Sequence, residues 1–284
     1  MRAPPSQPAR RPARLARLGG CARRRAPPVL RPADQDEGHH PDGGAMNDQG
    51  GTATPAITTE RLSKRYPATG TALAEVSVTV PSGSRTALLG PQRSGKTTLL
   101  NLLAGLAAPT SGSFRVTGRI RGIVHPYGFY PWLTGRQNLT MLCRLAGTDA
   151  AEADGCLERL RIETVADQRY GTYSLGTKQR LAIAASLLGD PAVLLLDEPS
   201  NGLDQAGADL LEEILAERAG QGTTILMTTH HLRDAERGCD HAILLDAGAC
   251  VYQGTMGGLL ARGAEATGDR LERVFLRLTE ESTQ

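Results

Sequence analysis

Aromatic side chains are scarce in this chain, which holds one tryptophan, three phenylalanines and six tyrosines among 284 residues. No stretch approaches the roughly 20 consecutive apolar residues of a membrane-spanning helix. The most apolar runs are short and are interrupted by Asp197 or His230, so a membrane role would have to come from a partner. The five cysteines (Cys21, Cys143, Cys156, Cys239 and Cys250) show no paired spacing and no CxxC. That pattern signals neither a disulfide framework nor a zinc site and suits a reducing, cytosolic compartment.

The excess of positive charge is local. Residues 1–45 contain nine arginines, four acids and eight of the 17 prolines. Without hydrophobic periodicity or a signal-peptide core, this stretch reads as low complexity and is expected to be disordered to about residue 50. It is either a basic arm or an over-extended reading frame, with Met46 as the expected start. The remainder of the chain is slightly acidic, and no nucleic-acid partner is expected of it.

Glycine, by contrast, is plentiful at 33 residues, which suits many tight turns. From Ile57 onward, ITTERLSKRY and ALAEVSVTVPSG predict short strands ending in a turn. RTALLG then reads as a buried strand entering a glycine loop, and KTTLLNLLAGL reads as a helix stopped by Pro109, Thr110, Ser111 and Gly112. AVLLLDEP, TTILMTTH and HAILLD are apolar runs of the kind found in a covered sheet. The region from about Tyr127 to Leu188 reads as mainly helical.

Gly90, Pro91, Gln92, Arg93, Ser94, Gly95, Lys96 and Thr97 match GxxxxGK[ST], with a strand before and a helix after. Glycines at these positions let successive N–H groups turn inward and form an anion nest at a helix N-terminus. Lys96 can reach the β- and γ-phosphates of ATP and Thr97 can ligate Mg²⁺, with Thr98 following in the same turn. Downstream, a strand ending in Asp197 places a carboxylate at the C-terminal sheet edge, where it can hold Mg²⁺ directly or through water. Glu198 can polarise the attacking water.

With both halves of this site in place, the chain resembles the ATP-binding subunits of ABC transporters from about Ile57 to Thr279, with the family's motifs in family order. The signature segment, usually LSGGQ, stands here as YSLGT from Tyr173 to Thr177, keeping Ser174 and Gly176. The resemblance implies that this segment opens a helix capping the γ-phosphate bound by the opposite subunit of a homodimer. SNGLD from Ser200 to Asp204 resembles the D-loop, and TTHHL puts His230 at the position of the switch histidine. Tyr66 stands where the family stacks an aromatic on adenine, a contact of about 1–3 kcal/mol by analogy with base stacking.

One position departs from the family pattern. Aligning GIVHPYGFYPWLTGRQNL on its FYP and LTGRxNL elements puts His125 where the family carries a glutamine that contacts Mg²⁺ and the water region. Histidine can coordinate metal or hydrogen-bond water, but it is bulkier and titrates near neutrality. ATPases resembling the bacitracin-resistance and lantibiotic-immunity proteins often carry glutamate there and share GFYP and LTGR, so the substitution points to a subfamily. Tyr127, Phe129, Tyr130 and Trp132 follow within a few residues, either as a docking surface for the permease or as core of the helical region. LERVFLRLTE resembles the closing segment of export-type ATPases.

The expected fold is therefore an α/β P-loop ATPase core over residues 57–284, with an amino-terminal antiparallel β region and an inserted helical subdomain at about 127–188. The expected activity is ATP hydrolysis with Mg²⁺ by a homodimer, driving export of a small molecule or peptide through a separately encoded integral-membrane permease. The protein would then be cytoplasmic and peripheral on the inner face of the plasma membrane. The alternative is a weakly hydrolysing, nucleotide-dependent switch on a membrane partner, motivated by His125 and the loose signature.

Overall fold

The computed structural model describes residues 55–123, 128–229, 232–262 and 271. The Arg/Pro-rich stretch, His125, Tyr127, His230 and the closing LERVFLRLTE segment beyond Leu271 lie outside the described residues.

The chain begins with β1 (Pro55–Tyr66), β2 (Gly70–Val76), β3 (Thr79–Pro81), β4 (Arg85–Leu89) and α1 (Lys96–Leu103). β5 (Ser111–Val116), β6 (Ile120–Ile123), α2 (Gly135–Ala146), α3 (Ala151–Arg159) and α4 (Leu175–Leu187) follow. β7 (Val193–Leu196), α5 (Gln205–Gly220), β8 (Thr224–Thr228), α6 (Leu232–Gly238), β9 (His241–Asp246), β10 (Ala249–Thr255) and α7 (Met256–Ala261) complete it. Among the described residues no helix is long and apolar enough to cross a membrane.

The strands form two sheets. One is antiparallel, ordered β2-β1-β3, with β5 also on β1. The ITTERLSKRY segment lies whole within the 12-residue β1. Irregularities between Leu62 and Lys64 and between Lys64 and Arg65, with Arg61 at φ 45°, bend this strand. It can therefore pair with β3 through Ile57 and Thr58 and with β2 through Leu62 and beyond.

The other sheet runs β10-β9-β4-β8-β7-β6, parallel except for β10 on β9. Every residue of β4, β7 and β8 is buried, as expected for parallel strands covered on both faces. Alternation sorts them: Leu194, Leu196, Ile225 and Met227 join the core shared with α4 and α5, while Val193, Leu195 and Leu226 face Leu99, Leu102 and Leu103 of α1. Burial of each such leucine stabilises the fold by about 1.5–3 kcal/mol.

Local chemistry sets the helix ends. α1 stops at Leu103, earlier than Pro109, because Gly105 adopts φ 71° and Leu106 N–H closes back onto Asn101 O at 2.8 Å. Thr134 and Gln137 form a reciprocal capping box at the start of α2. Between β6 and β7, the fully buried Asn138 accepts from Tyr130 N–H at 2.8 Å and donates to Tyr130 O at 3.1 Å, pinning the aromatic segment over α2. That segment divides. Phe129 packs on the core with its ring 5.1 Å from Tyr170, whereas Tyr130 and Trp132, 5.2 Å apart, are 42% and 65% exposed.

Candidate functional site

β4 delivers the chain to Gly90 at the carboxyl end of the parallel sheet, the edge where α/β folds bind ligands. Gly90 sits at φ 151°, and a Cβ there would lie 2.2 Å from Leu245 O. Gly95 sits at φ 105°, and its Cβ would lie 2.6 Å from Ala72 O. The loop is thus wedged between β9 and β2, and only glycine fits at either position. Arg93 between them holds a left-handed φ of 66°, a conformation that costs a non-glycine residue about 1–2 kcal/mol. Gln92 and Arg93 are exposed, Pro91 is half-buried, and the buried Ser94 hydroxyl has no partner among the described residues.

Lys96 opens α1 and is only 8% exposed. Its ammonium donates to Gly90 O and Pro91 O, both at 2.8 Å, so it is folded over its own loop. Burial pushes its pKa below that of an ordinary lysine, while the charges of Glu198 and Asp197 pull the other way. A cleft of about 620 Å³ opens beside it, lined by Tyr66, Thr69, Arg93, Lys96, Thr97 and Thr98, among others. Such a volume suits a nucleotide-sized ligand. Lys64 is fixed 5.0 Å from the Tyr66 ring centroid by its 2.6 Å bond to Ala108 O.

β7 brings the acids to the same edge. Asp197 is buried, and both of its carboxylate oxygens are engaged: Thr97 Oγ1 donates to Oδ2 at 2.9 Å and Thr228 Oγ1 donates to Oδ1 at 2.6 Å. Glu198 follows at φ 49°, and its N–H donates to Thr228 Oγ1 at 2.9 Å. Among the described residues no group of three or more His, Cys, Asp or Glu could form an all-protein metal cage. Thr97 and Asp197 nevertheless offer adjacent hard oxygens, a donor set that fits Mg²⁺, which keeps several waters and takes few protein ligands beside phosphates.

Ser174 caps α4, its hydroxyl accepting from Thr177 N–H at 3.2 Å. Gly176 and Leu175 lie against Gly202: a Cβ on Gly176 would be 3.0 Å from Gly202 O, and one on Gly202 would be 2.7 Å from Leu175 Cγ. Arg180 pairs with Asp204 at 3.0 Å, and buried Gln179 donates to Pro199 O at 2.7 Å. The signature turn and the SNGLD turn therefore pack as one block on the chain following Glu198. Ser174 and Gly176 are not among the residues lining the cleft.

Tyr66, the phosphate loop, Asp197 and Glu198 thus converge, whereas His125 and His230 fall outside the described residues. Sequence reasoning missed Thr228 and Gln179. Thr228 stands 31 residues from Asp197, and the signals for it were its place at the end of a strand of the same sheet and at the head of TTHHL.

Residues 73–201 match the family model described as ABC transporter. The Nod factor export ATP-binding protein I of Ralstonia nicotianae is 37% identical over 218 residues, covering 71% of this chain and 68% of that protein. The daunorubicin resistance ATP-binding protein DrrA3 of Streptomyces coeruleorubidus is 36% identical over 239 residues, covering 78% and 74%. A solved ATP-binding subunit of an ABC transporter superposes with a TM-score of 0.72 at 27% identity, over 79% of this chain and 99% of that one. With the phosphate loop, the paired acids and the signature turn in place on this fold, the chain belongs to the ATP-binding proteins of ABC transporters and is an ATPase of that family.

Proposed function

We propose that this ATPase works as a homodimer with Mg²⁺ to drive export of a small molecule or peptide, in the class of antibiotics, through a separately encoded integral-membrane permease. The observation that carries the reading is the Thr97–Asp197 hydrogen bond, which aligns the phosphate loop and the acidic strand end on one point beside the cleft.

In this reading Tyr66 stacks on adenine, Gly90 to Thr98 wrap the phosphates, and Lys96 exchanges its carbonyl partners for β- and γ-phosphate oxygens. Thr97 and Asp197 hold Mg²⁺, which when bound neutralises charge on those oxygens. Glu198 orients the attacking water and accepts its proton. His230 stabilises the γ-phosphate, and His125 contacts the water region and relays motion to the permease.

The position of the signature turn supports dimerisation. Gly176 lies against Gly202, and neither Ser174 nor Gly176 lines the cleft, which supports a dimer in which they meet the phosphates bound by a second copy. There the α4 N-terminus favours an anion. The permease contact is assigned to exposed Trp132, 65% accessible, and to Leu145, 77% accessible, which lines an apolar groove of about 320 Å³ with Phe129 and Leu142. Such a contact places the protein on the inner face of the plasma membrane. Export as the direction of transport accords with the relatives named for Nod factor export and daunorubicin resistance.

Two measurements test this reading. The full-length Glu198→Gln variant should double its mass in light scattering when ATP and Mg²⁺ are added. Wild-type hydrolysis should rise when the candidate permease is present in lipid. A monomer under saturating ATP contradicts the dimer. ATP binding that assembles the complex without turnover supports the nucleotide switch, a reading favoured by Leu175 standing in the signature turn.

A further inference from the structure

We infer that Thr228 is a positioning residue for hydrolysis, one that sets the carboxylates of Asp197 and Glu198 without contacting nucleotide. The inference rests on the ATPase site proposed above. β8 lies between β4, which delivers the phosphate loop, and β7, which delivers the acids. Thr228 is the last residue of β8, level with Leu88 on β4. Leu196 of β7 is level with Met227, so Asp197 emerges beside Thr228.

The side chain is 0% exposed and its hydroxyl is used twice. Its single proton goes to Asp197 Oδ1 at 2.6 Å, and its oxygen accepts the Glu198 N–H at 2.9 Å. The first bond decides which Asp197 oxygen is turned away from the loop, leaving Oδ2 for Thr97. The second stabilises a backbone at φ 49°, which an L-residue rarely adopts, and so fixes the direction in which the Glu198 side chain leaves the strand. A methyl in place of the hydroxyl removes both bonds together and leaves Asp197 Oδ1 and the Glu198 N–H without that partner.

A group that only satisfied a buried polar atom would affect folding stability. A positioning role affects turnover selectively, because small displacements of reacting groups are costly in rate while nucleotide binding depends on the phosphate loop. The test compares full-length wild type, Glu198→Gln, Thr228→Val, Thr228→Ala and Thr228→Ser. The expected result is a roughly tenfold to hundredfold fall in kcat for the valine and alanine variants, unchanged KM for ATP, and recovery in the serine variant, which keeps the hydroxyl. In nucleotide-free, Mg²⁺-free protein, amide exchange at Glu198 should quicken in Thr228→Val and Thr228→Ala and stay slow in Thr228→Ser.

Wild-type kcat in a folded Thr228→Val or Thr228→Ala protein, a loss confined to KM, or failure of serine to restore activity overturns the positioning role. Absence of hydrolysis in wild type, or hydrolysis untouched by Glu198→Gln, overturns the reading of the site itself and the role of Thr228 with it.

Discussion

Thr97 Oγ1 donates a 2.9 Å hydrogen bond to Asp197 Oδ2 across 100 residues of sequence, joining the first turn of α1 to the end of β7. The fold itself therefore holds the phosphate loop and the acidic strand end together, and the entropy of bringing them together is met by folding.

Asp197→Asn keeps the size of the side chain and removes its charge. The Mg²⁺ concentration giving half-maximal hydrolysis should rise roughly tenfold to hundredfold, as for the loss of an important metal-site partner. The folding midpoint should change little. An Mg²⁺ titration of the purified variant measures the effect.

Gly202 carries the signature turn as neighbour. At φ 79°, with Leu175 Cγ 2.7 Å from an added Cβ, Gly202→Ala should lose about 1–3 kcal/mol through strain and overlap. Leu175→Gly removes the overlap but leaves the strain, so the double variant should recover part of that loss. Urea unfolding of the four proteins in a double-mutant cycle reads the coupling, expected at about 0.5–3 kcal/mol.

Arg85 is 8% exposed and bonded to both Glu212 oxygens at 2.7 Å, and this pairing holds its pKa above the ordinary guanidinium value against the cost of burial. Glu212→Ala leaves that cation buried without its carboxylate. Because Glu212 is half exposed, water partly screens the pair, and the expected loss is about 2 kcal/mol by urea unfolding.

How much of this site could be read from the sequence depends on distance along the chain. The phosphate loop and Asp197–Glu198 were legible because each is contiguous and flanked by apolar runs that can only be buried strands. The relay through Thr228 and the Gln179–Pro199 bond were not, because they join residues 31 and 20 positions apart and depend on strand order. The α1 terminus was misplaced because Pro109 is a strong break in sequence, whereas Gly105 acts only through its left-handed dihedral.

Burial pushes the Cys239 thiol up to about 12 and that of Cys156 to about 11. Both should resist alkylation in the native protein at pH 8 and react on unfolding, as mass spectrometry of labelled peptides would show. A folded pKa above the unfolded value stabilises the fold fully below pH 9 and is lost as pH rises toward about 12. The stability difference between wild type and Cys239→Ala should therefore shrink across that window.

The central claim is that Glu198, which follows Asp197 at the end of β7 and is held through Thr228, activates water for ATP hydrolysis. Steady-state phosphate release by the full-length protein with Mg²⁺, measured beside Glu198→Gln, tests it most directly. The account predicts Mg²⁺-dependent turnover in wild type and a loss of about a hundredfold or more in the variant, with ATP binding retained. Equal turnover in the two proteins would contradict it.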